Sequence, residues 1–326
     1  MSNKDCLVTV MCAAFNHEEY IRSALDGFVN QKTDFGFEVL INDDKSTDNT
    51  AAIIREYAEK YPDIIRPFYQ EVNLYSLHKD VYDEFFYPNA RGKYVAFCEG
   101  DDYWIDPLKL QKQVDFMEAH PEYSACVHNS IVHDCSGNSP DKPFIPKSGD
   151  HDLFLEDAVK GMSHAYHTSS LLAKKDIIAD HKDFYFISCS YGFSDYPDAL
   201  RLLLDGPIRF LDEDMSVYRL CSNPGSWSSK LSSQYKKLRR FIVGEKEMLT
   251  LLKAHVKPEQ VPAIDHEILE REYELLFIEG KVAEMVKPPY REIYKKQSFS
   301  YKLKITIKRL FPKLHAKYRE KWGYEE

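Results

Sequence analysis

No stretch of this 326-residue sequence approaches the roughly 18–20 consecutive apolar residues of a membrane span. The start, Met1-Ser2-Asn3-Lys4-Asp5, lacks the apolar run of a signal peptide. The seven cysteines (Cys6, Cys12, Cys98, Cys126, Cys135, Cys189 and Cys221) include no CxxC pair and form no regular framework. Most lie in or beside apolar runs, where a thiol behaves as a small hydrophobe. An odd, scattered set in a large chain fits a reducing cytosol. The expectation is therefore a cytoplasmic protein, soluble or held peripherally at the inner face of the cell membrane. Glycine-rich phosphate loops are missing too. Neither GxGxxG nor GxxxxGK(S/T) occurs, which disfavours a dinucleotide-binding or P-loop enzyme. No internal repeat is visible.

What is present is ample material for a core, with 44% hydrophobic and 13% aromatic residues. The length suits one large domain with an appendage, or two ordinary domains. Net charge is -9 but unevenly spread: residues 291–321 hold eleven Lys/Arg against Glu292 and Glu320, leaving the rest at -18. A basic tail on an acidic body argues against a nucleic-acid binder and for a local contact with something anionic.

Apolar runs alternate with amphipathic segments. Leu7–Cys12 reads as a buried strand. Asn16, with Glu19 three residues on, resembles a capping box before a helix carrying Tyr20, Ile21, Ala24, Leu25, Phe28 and Val29 on one face. A strand ending at Ile41 follows, then a helix over about 48–60 with Ala52, Ile53 and Tyr57 inward. A strand over 64–69 is demoted toward an edge by Pro67. A helix around 79–86, a strand over 93–98, a helix from Pro107 to Glu118 and a strand over 123–128 continue the series. The pattern predicts an α/β fold with a doubly wound, mostly parallel sheet. Residues 134–152 read as a loop or lid, and order returns with strands over 168–172 and 208–218. Past Asn223-Pro224-Gly225 the chain turns helical, over about 231–254 and 262–286. The expected domains are 1–225 and a helical 226–326.

Two acidic clusters stand just beyond strand ends: Asp43-Asp44-Lys45-Ser46-Thr47-Asp48-Asn49-Thr50 and Glu99-Gly100-Asp101-Asp102. In an open α/β sheet the ligand crevice lies outside the carboxyl ends of the strands. Carboxylates converging there suit a divalent cation and, through it, a phosphate. Acidic turns that merely cap helices are the competing explanation.

These clusters, with Val8-Thr9-Val10-Met11-Cys12-Ala13-Ala14-Phe15-Asn16 before them and Tyr103-Trp104 after, resemble family 2 glycosyltransferases of the GT-A fold over roughly the first 220 residues. Members resembling this chain mostly build bacterial capsule, O-antigen and other surface glycans from nucleotide sugars. The resemblance implies that Ala14 and Asn16 contact the nucleotide, where a plain turn and helix cap is the alternative. It implies that a carboxylate of the Asp43–Asp44 pair accepts a hydrogen bond from the base, with Asp44 favoured; an ionised carboxylate is acceptor-only, and N3–H of uracil is a donor. Ser46 and Asp48 then cap the next helix. Glu99-Gly100-Asp101 occupies the family's metal motif, usually Asp-x-Asp. Asp101 is the expected ligand of Mn²⁺ or Mg²⁺, with Glu99 ligating directly or through a water. Asp102 is assigned to the donor sugar's hydroxyls, and Trp104 to either a sugar platform or the core.

The catalytic base is expected on the acceptor side, at Asp195 within Tyr191-Gly192-Phe193-Ser194-Asp195-Tyr196-Pro197; the same position also suits a helix N-cap. Ser194 stands where the family often has a first acid. Arg219 is placed near the diphosphate or in a surface salt bridge, and His164, His167 and Thr168 along the acceptor pocket. The reading is a metal-dependent, inverting glycosyltransferase moving a sugar from a UDP-sugar donor to a hydroxyl on a glycan or lipid-linked acceptor, in polysaccharide biosynthesis, with homo-oligomerisation open. A sugar nucleotidyltransferase would need a Gly-rich, basic first loop, and Met11-Cys12-Ala13-Ala14-Phe15-Asn16 has neither property. A non-catalytic nucleotide- or glycan-binding module is the other alternative. Finally, residues 298–311 as a helix set Leu303, Ile307, Leu310 and Phe311 on one side, flanked by Lys304 and Lys308. Such a helix suits either an anionic membrane surface or packing on the acidic body.

Overall fold

Five consecutive residues, Val8 to Cys12, are wholly excluded from solvent, which only the centre of a covered sheet allows for so apolar a run. They form the middle of β1 (Cys6–Ala14), paired in parallel with β2 (Gly36–Asp43) on one side and β4 (Tyr94–Phe97) on the other. The computed structural model describes residues 6–77, 79–159, 165–180, 195–220 and 235–310, with backbone alone at 195, 235 and 236. The chain divides into two compact units, Met1–Tyr185 with Ser194–Cys221, and Phe186–Phe193 with Ser222–Glu326.

The first unit is built on one ten-stranded sheet. Its remaining strands are β3 (Ile65–Tyr69), β5 (Tyr103–Trp104), β6 (Ala125–Asp134), β7 (Lys142–Pro143), β8 (His151–Leu153), β9 (Leu172–Lys174) and β10 (Ile208–Leu220), in the order β3-β2-β1-β4-β9-β6-β10-β5, with β7 on β6 and β8 on β10. The long pairings are parallel, including β6 with β10, whereas β5, β7, β8 and β9 pair antiparallel. The sheet is thus mixed, with its long pairings parallel, as the expectation of a mostly parallel sheet requires. Pro67 does lie on the edge strand.

Helix α1 (Ile21–Val29) buries Ile21, Ala24, Leu25 and Phe28, and α2 (Thr50–Lys60) buries Thr50, Ile53, Ile54 and Tyr57, with Ala52 outward. Helices α3 (Lys109–Ala119) and α4 (Asp195–Asp205) complete the main helices of this unit. The helix expected near 79–86 is a short π-helical turn, Tyr82–Phe86, followed by one α turn. Gly92 admits no side chain, because a Cβ there would lie 2.5 Å from the Thr9 backbone nitrogen.

One cysteine departs from expectation. Cys135, next after β6, is disulfide-bonded, its partner lying outside the described residues, whereas Cys6, Cys12, Cys98 and Cys126 are free. Sequence spacing carries no trace of this pairing, because folding sets which cysteines meet.

The second unit is helical: α5 (Tyr235–Leu252), α6 (Val261–Ile278), α7 (Arg291–Lys296) and α8 (Phe299–Leu310). Its core comprises Tyr273, Leu276, Val282, Met285, Ile293 and Ile305. Helix α6 stops short of the expected 286 because Gly280 takes φ 76°, the left-handed conformation that ends helices. No helix among the described residues is long and apolar enough to cross a membrane.

Candidate active site

Strands β2 and β4 flank β1, so the turns leaving their carboxyl ends come out on either side of the turn that leaves β1. The first two turns are clasped together. Asn16 sits at φ 55°, a left-handed conformation that Asn tolerates better than most residues. Its N–H donates to Ser46 Oγ (2.9 Å), and its Oδ1 accepts from the Thr47 N–H (2.8 Å). Glu18 N–H donates to Asp48 Oδ2 (3.1 Å), and Glu18 Oε2 accepts from Asn49 N–H (2.9 Å). Asn16 is therefore not a helix cap: α1 starts after Tyr20 without a side-chain cap. Ser46 likewise serves the clasp, while Asp48 Oδ1 accepts from Thr50 N–H (2.9 Å) at the start of α2. Ala14 is buried and accepts through its carbonyl from Asp44 N–H (2.9 Å).

The paired aspartates have different fates. Asp44 Oδ1 accepts from Leu74 N–H (2.6 Å) and Oδ2 from Tyr75 N–H (3.1 Å), so this carboxylate holds the loop at 73–75. Asp43 uses only Oδ2, on Ser46 N–H (3.3 Å); its Oδ1 is buried with no hydrogen-bond partner. The unsatisfied acceptor of the pair is Asp43, whereas motif position favoured Asp44.

Beyond β4 the turn hangs on β1. Cys98 N–H donates to Met11 O (3.2 Å) and Gly100 N–H to Ala13 O (2.9 Å). Gly100 is required by closeness, since a Cβ would sit 2.9 Å from His17 Nδ1 and 3.1 Å from Ala14 Cβ. Glu99 is exposed. Asp101 keeps Oδ1 buried without a partner, and its Oδ2 lies 3.9 Å from His17 Nε2. His17, which sequence reasoning passed over, has a buried Nδ1 with no partner. Burial lowers its pKa, outweighing the attraction of Asp101, so the ring is a neutral donor and acceptor. The one available signal was its place directly behind Asn16, in the loop that faces the acidic turn.

Asp102 is only 3% exposed. Its Oδ1 accepts from Arg219 N–H (2.9 Å), and its Oδ2 is 3.7 Å from His167 Nε2. Burial, with the Asp101 charge adding, pushes its carboxyl well above the usual range. It is built into the wall, and does not offer the open oxygen that sugar contact needs. Arg219 donates from its guanidinium to the Asp101 carbonyl (2.6 Å), with its Cζ 4.2 Å from the Tyr103 ring centre. The surface salt bridge weighed for it is not what its side chain makes. His167 stacks on Tyr218 at 4.2 Å, and burial holds its pKa down to about 4. Trp104 is core: it is 3% exposed, packs edge-on against Phe28 and donates from Nε1 to Ser169 O (2.9 Å). Asp195 is the first residue of α4; its side chain, and His164, lie outside the described residues.

Residues 9–174 match the model of glycosyl transferase family 2. The chain belongs to this family. An uncharacterised protein of Mycobacterium tuberculosis is 38% identical over 231 residues, 70% of this chain and 63% of its own length. The putative teichuronic acid biosynthesis glycosyltransferase TuaG of Bacillus subtilis is 33% identical over 167 residues, 49% of this chain and 62% of TuaG. The chain thus spans just under two thirds of either relative. Among solved structures, S. aureus TarS in complex with UDP superposes with a TM-score of 0.55 at 15% identity, covering 91% of this chain and 77% of TarS. That likeness establishes the GT-A fold.

The candidate site is the group of turns at the β1, β2 and β4 ends, where the Arg219 side chain of β10 meets the Asp101 carbonyl. Among the described residues no group of three or more His, Cys, Asp or Glu could hold a metal ion by itself. One or two carboxylates, completed by a diphosphate's oxygens, are nevertheless a sufficient set for a hard cation such as Mg²⁺. The partnerless Asp101 Oδ1 fits such an ion.

Proposed function

We propose that the chain is a metal-dependent, inverting glycosyltransferase that moves a sugar from a UDP-sugar to a hydroxyl of a glycan or lipid-linked acceptor. One observation carries the reading. Two buried carboxylate oxygens without partners, on Asp43 and Asp101, stand at the ends of the strands on either side of β1. A buried acceptor left unpaired costs about 1–3 kcal/mol, more if charged, and a bound nucleotide and cation would supply the missing partners.

In this reading Asp43 takes the hydrogen bond from the base, and Asp44 fixes the loop beside it. Ala14 and Asn16 shape the nucleotide's seat. Asp101 would hold Mn²⁺ or Mg²⁺, with Glu99 on the same turn and His17 nearby as a neutral donor. Such a cation would supply Lewis-acid stabilisation of the departing diphosphate. Arg219 adds positive charge on the same side, and Asp102 braces Arg219. Asp195 takes the proton from the acceptor hydroxyl as that oxygen bonds to the anomeric carbon and the bond to the diphosphate breaks. Because transfer uses a nucleotide sugar, we assign it to the cytoplasm, at the inner face of the cell membrane. The Cys135 disulfide pulls the other way, since such bonds are rare in the cytosol; thiol trapping in intact cells decides between them.

The experiment is UDP release from a panel of UDP-sugars with Mn²⁺, together with thermal stabilisation by UDP. A ligand at about 100 times its Kd stabilises by about 2.7 kcal/mol. Release that EDTA abolishes is expected. Stabilisation without release from any nucleotide sugar would favour a binding module, and neither effect with any nucleotide would overturn the reading.

A further inference from the structure

Helix α8 has two apolar faces, and the second unit covers only one. Ile305 is 1% exposed within that unit's core, and Tyr301 stacks against Phe277 at 5.3 Å. Lys308 is buried beside them. Its Nζ donates to the Phe277 carbonyl and lies 4.3 Å from that ring's centre, which fixes the helix's roll. At the helical repeat of 100° per residue, Phe299, Leu303, Ile307 and Leu310 fall on the opposite side. They are 83%, 47%, 43% and 64% exposed. Within the second unit this stripe is therefore uncovered, and a different stripe of the same helix does the packing.

The rim of the exposed stripe is basic on both flanks. Lys304 lies on one side, and Lys302 with Arg309 on the other; Glu292 is the sole acid between residues 291 and 310, against seven Lys/Arg. We propose that this face docks on an anionic lipid bilayer, with the four apolar side chains inserted at the headgroup boundary and the basic residues paired with lipid charges. Large apolar residues between lysines and arginines are the pattern of helices that lie in a membrane interface. Charge argues against a second copy of the chain as the occupant. Two such helices brought face to face would set Lys302, Lys304 and Arg309 against their own counterparts, and like charges repel. The docking rests on the proposed transfer only for its purpose, which is to bring the site to a lipid-linked acceptor.

Flotation of the full-length protein with vesicles tests it. Vesicles of phosphatidylglycerol mixed with phosphatidylcholine should carry at least tenfold more protein than phosphatidylcholine alone, and 0.5 M NaCl should reverse most of the difference. Phe299→Ser with Leu303→Ser, Ile307→Ser and Leu310→Ser should abolish flotation yet keep the wild-type melting temperature, since these side chains lie on the exposed face. Lys302→Glu with Lys304→Glu and Arg309→Glu should lose the preference for anionic vesicles. Equal flotation of the serine variant overturns the proposal. So does a wild-type dimer in light scattering that the serine variant converts to monomer without any lipid binding by either. UDP release measured on the same variants separates the two readings. Release without flotation leaves glycosyl transfer standing and removes only the docking face.

Discussion

The two acidic turns of the site share a design but close in different ways. Each holds adjacent aspartates, one sealed and one open. In the turn after β2 the seal is local and made of backbone: Asp44 is satisfied by the Leu74 and Tyr75 amides. In the turn after β4 the seal comes from across the sheet, from the Arg219 N–H of β10, and Asp102 is buried near His167 without an ion pair to match its charge. The first turn is therefore electrostatically relaxed. The second is strained: burial first, and the Asp101 charge beside it second, push the Asp102 carboxyl well above the usual range. The comparison teaches that in a run of acids the residue free for a ligand is the one the fold leaves unpaired.

The largest expected effect falls on the open member of the tense turn. Asp101→Ala should lower transfer by about 100-fold or more, the range for losing a group that stabilises developing charge, with a near-native melting temperature because its side chain is 40% exposed. Full activity of EDTA-stripped variant with added Mn²⁺ would break the assignment. Next is Asp43→Asn, which removes a charged acceptor worth about 1.5–3 kcal/mol, so UDP affinity should fall by about 10- to 150-fold. Calorimetric titration measures it, and an unchanged Kd would return the base to Asp44.

Asp44→Ala should act on the fold instead. Two amides lose their acceptor, and chemical denaturation should show a loss of about 2–3 kcal/mol. A stable variant that cannot bind UDP would reverse the roles of the two residues. Asp102→Asn sharpens the contrast through pH. A carboxyl raised in the folded state keeps its proton where the unfolded one has lost it, so folded stability falls as pH rises from the ordinary carboxylate value toward the raised one. The Asn variant should flatten that slope; an unchanged slope would show that Asp102 is not held under strain. The smallest effect is Lys45→Gly. Lys45 sits at φ 62°, which costs a non-glycine residue about 1–2 kcal/mol. Against glycine's greater unfolded-state freedom of about 0.5–1 kcal/mol, a net gain of about 0.5 kcal/mol is expected.

The alternation of elements was legible because burial writes itself into period. Val8–Cys12 and the α1 face need only local spacing to be read, and the acidic turns follow from strand ends. What decides which acid is hydrogen-bonded within the fold is not local. Asp44 is answered by amides 30 and 31 residues on, and Asp102 by one 117 residues on. Asn16 carries a capping-box signature but spends its side chain on Thr47. Trp104 borders the acidic turn yet turns inward, because Phe28 and the Ser169 carbonyl complete its environment. In α8 the sequence pattern singled out only the stripe of Leu303, Ile307, Leu310 and Phe311; the burial of Ile305, the Tyr301–Phe277 stacking and the Lys308–Phe277 contact show that another stripe is the packed one.

The most direct test of the central claim is UDP binding measured by calorimetry with and without Mn²⁺ in wild-type, Asp101→Asn and Asp102→Asn proteins. Mn²⁺ should tighten UDP binding at least tenfold in the wild-type protein and in Asp102→Asn, and should have no effect in Asp101→Asn. A Mn²⁺ effect that survives Asp101→Asn, or disappears in Asp102→Asn alone, would contradict the division into an open and a sealed carboxylate.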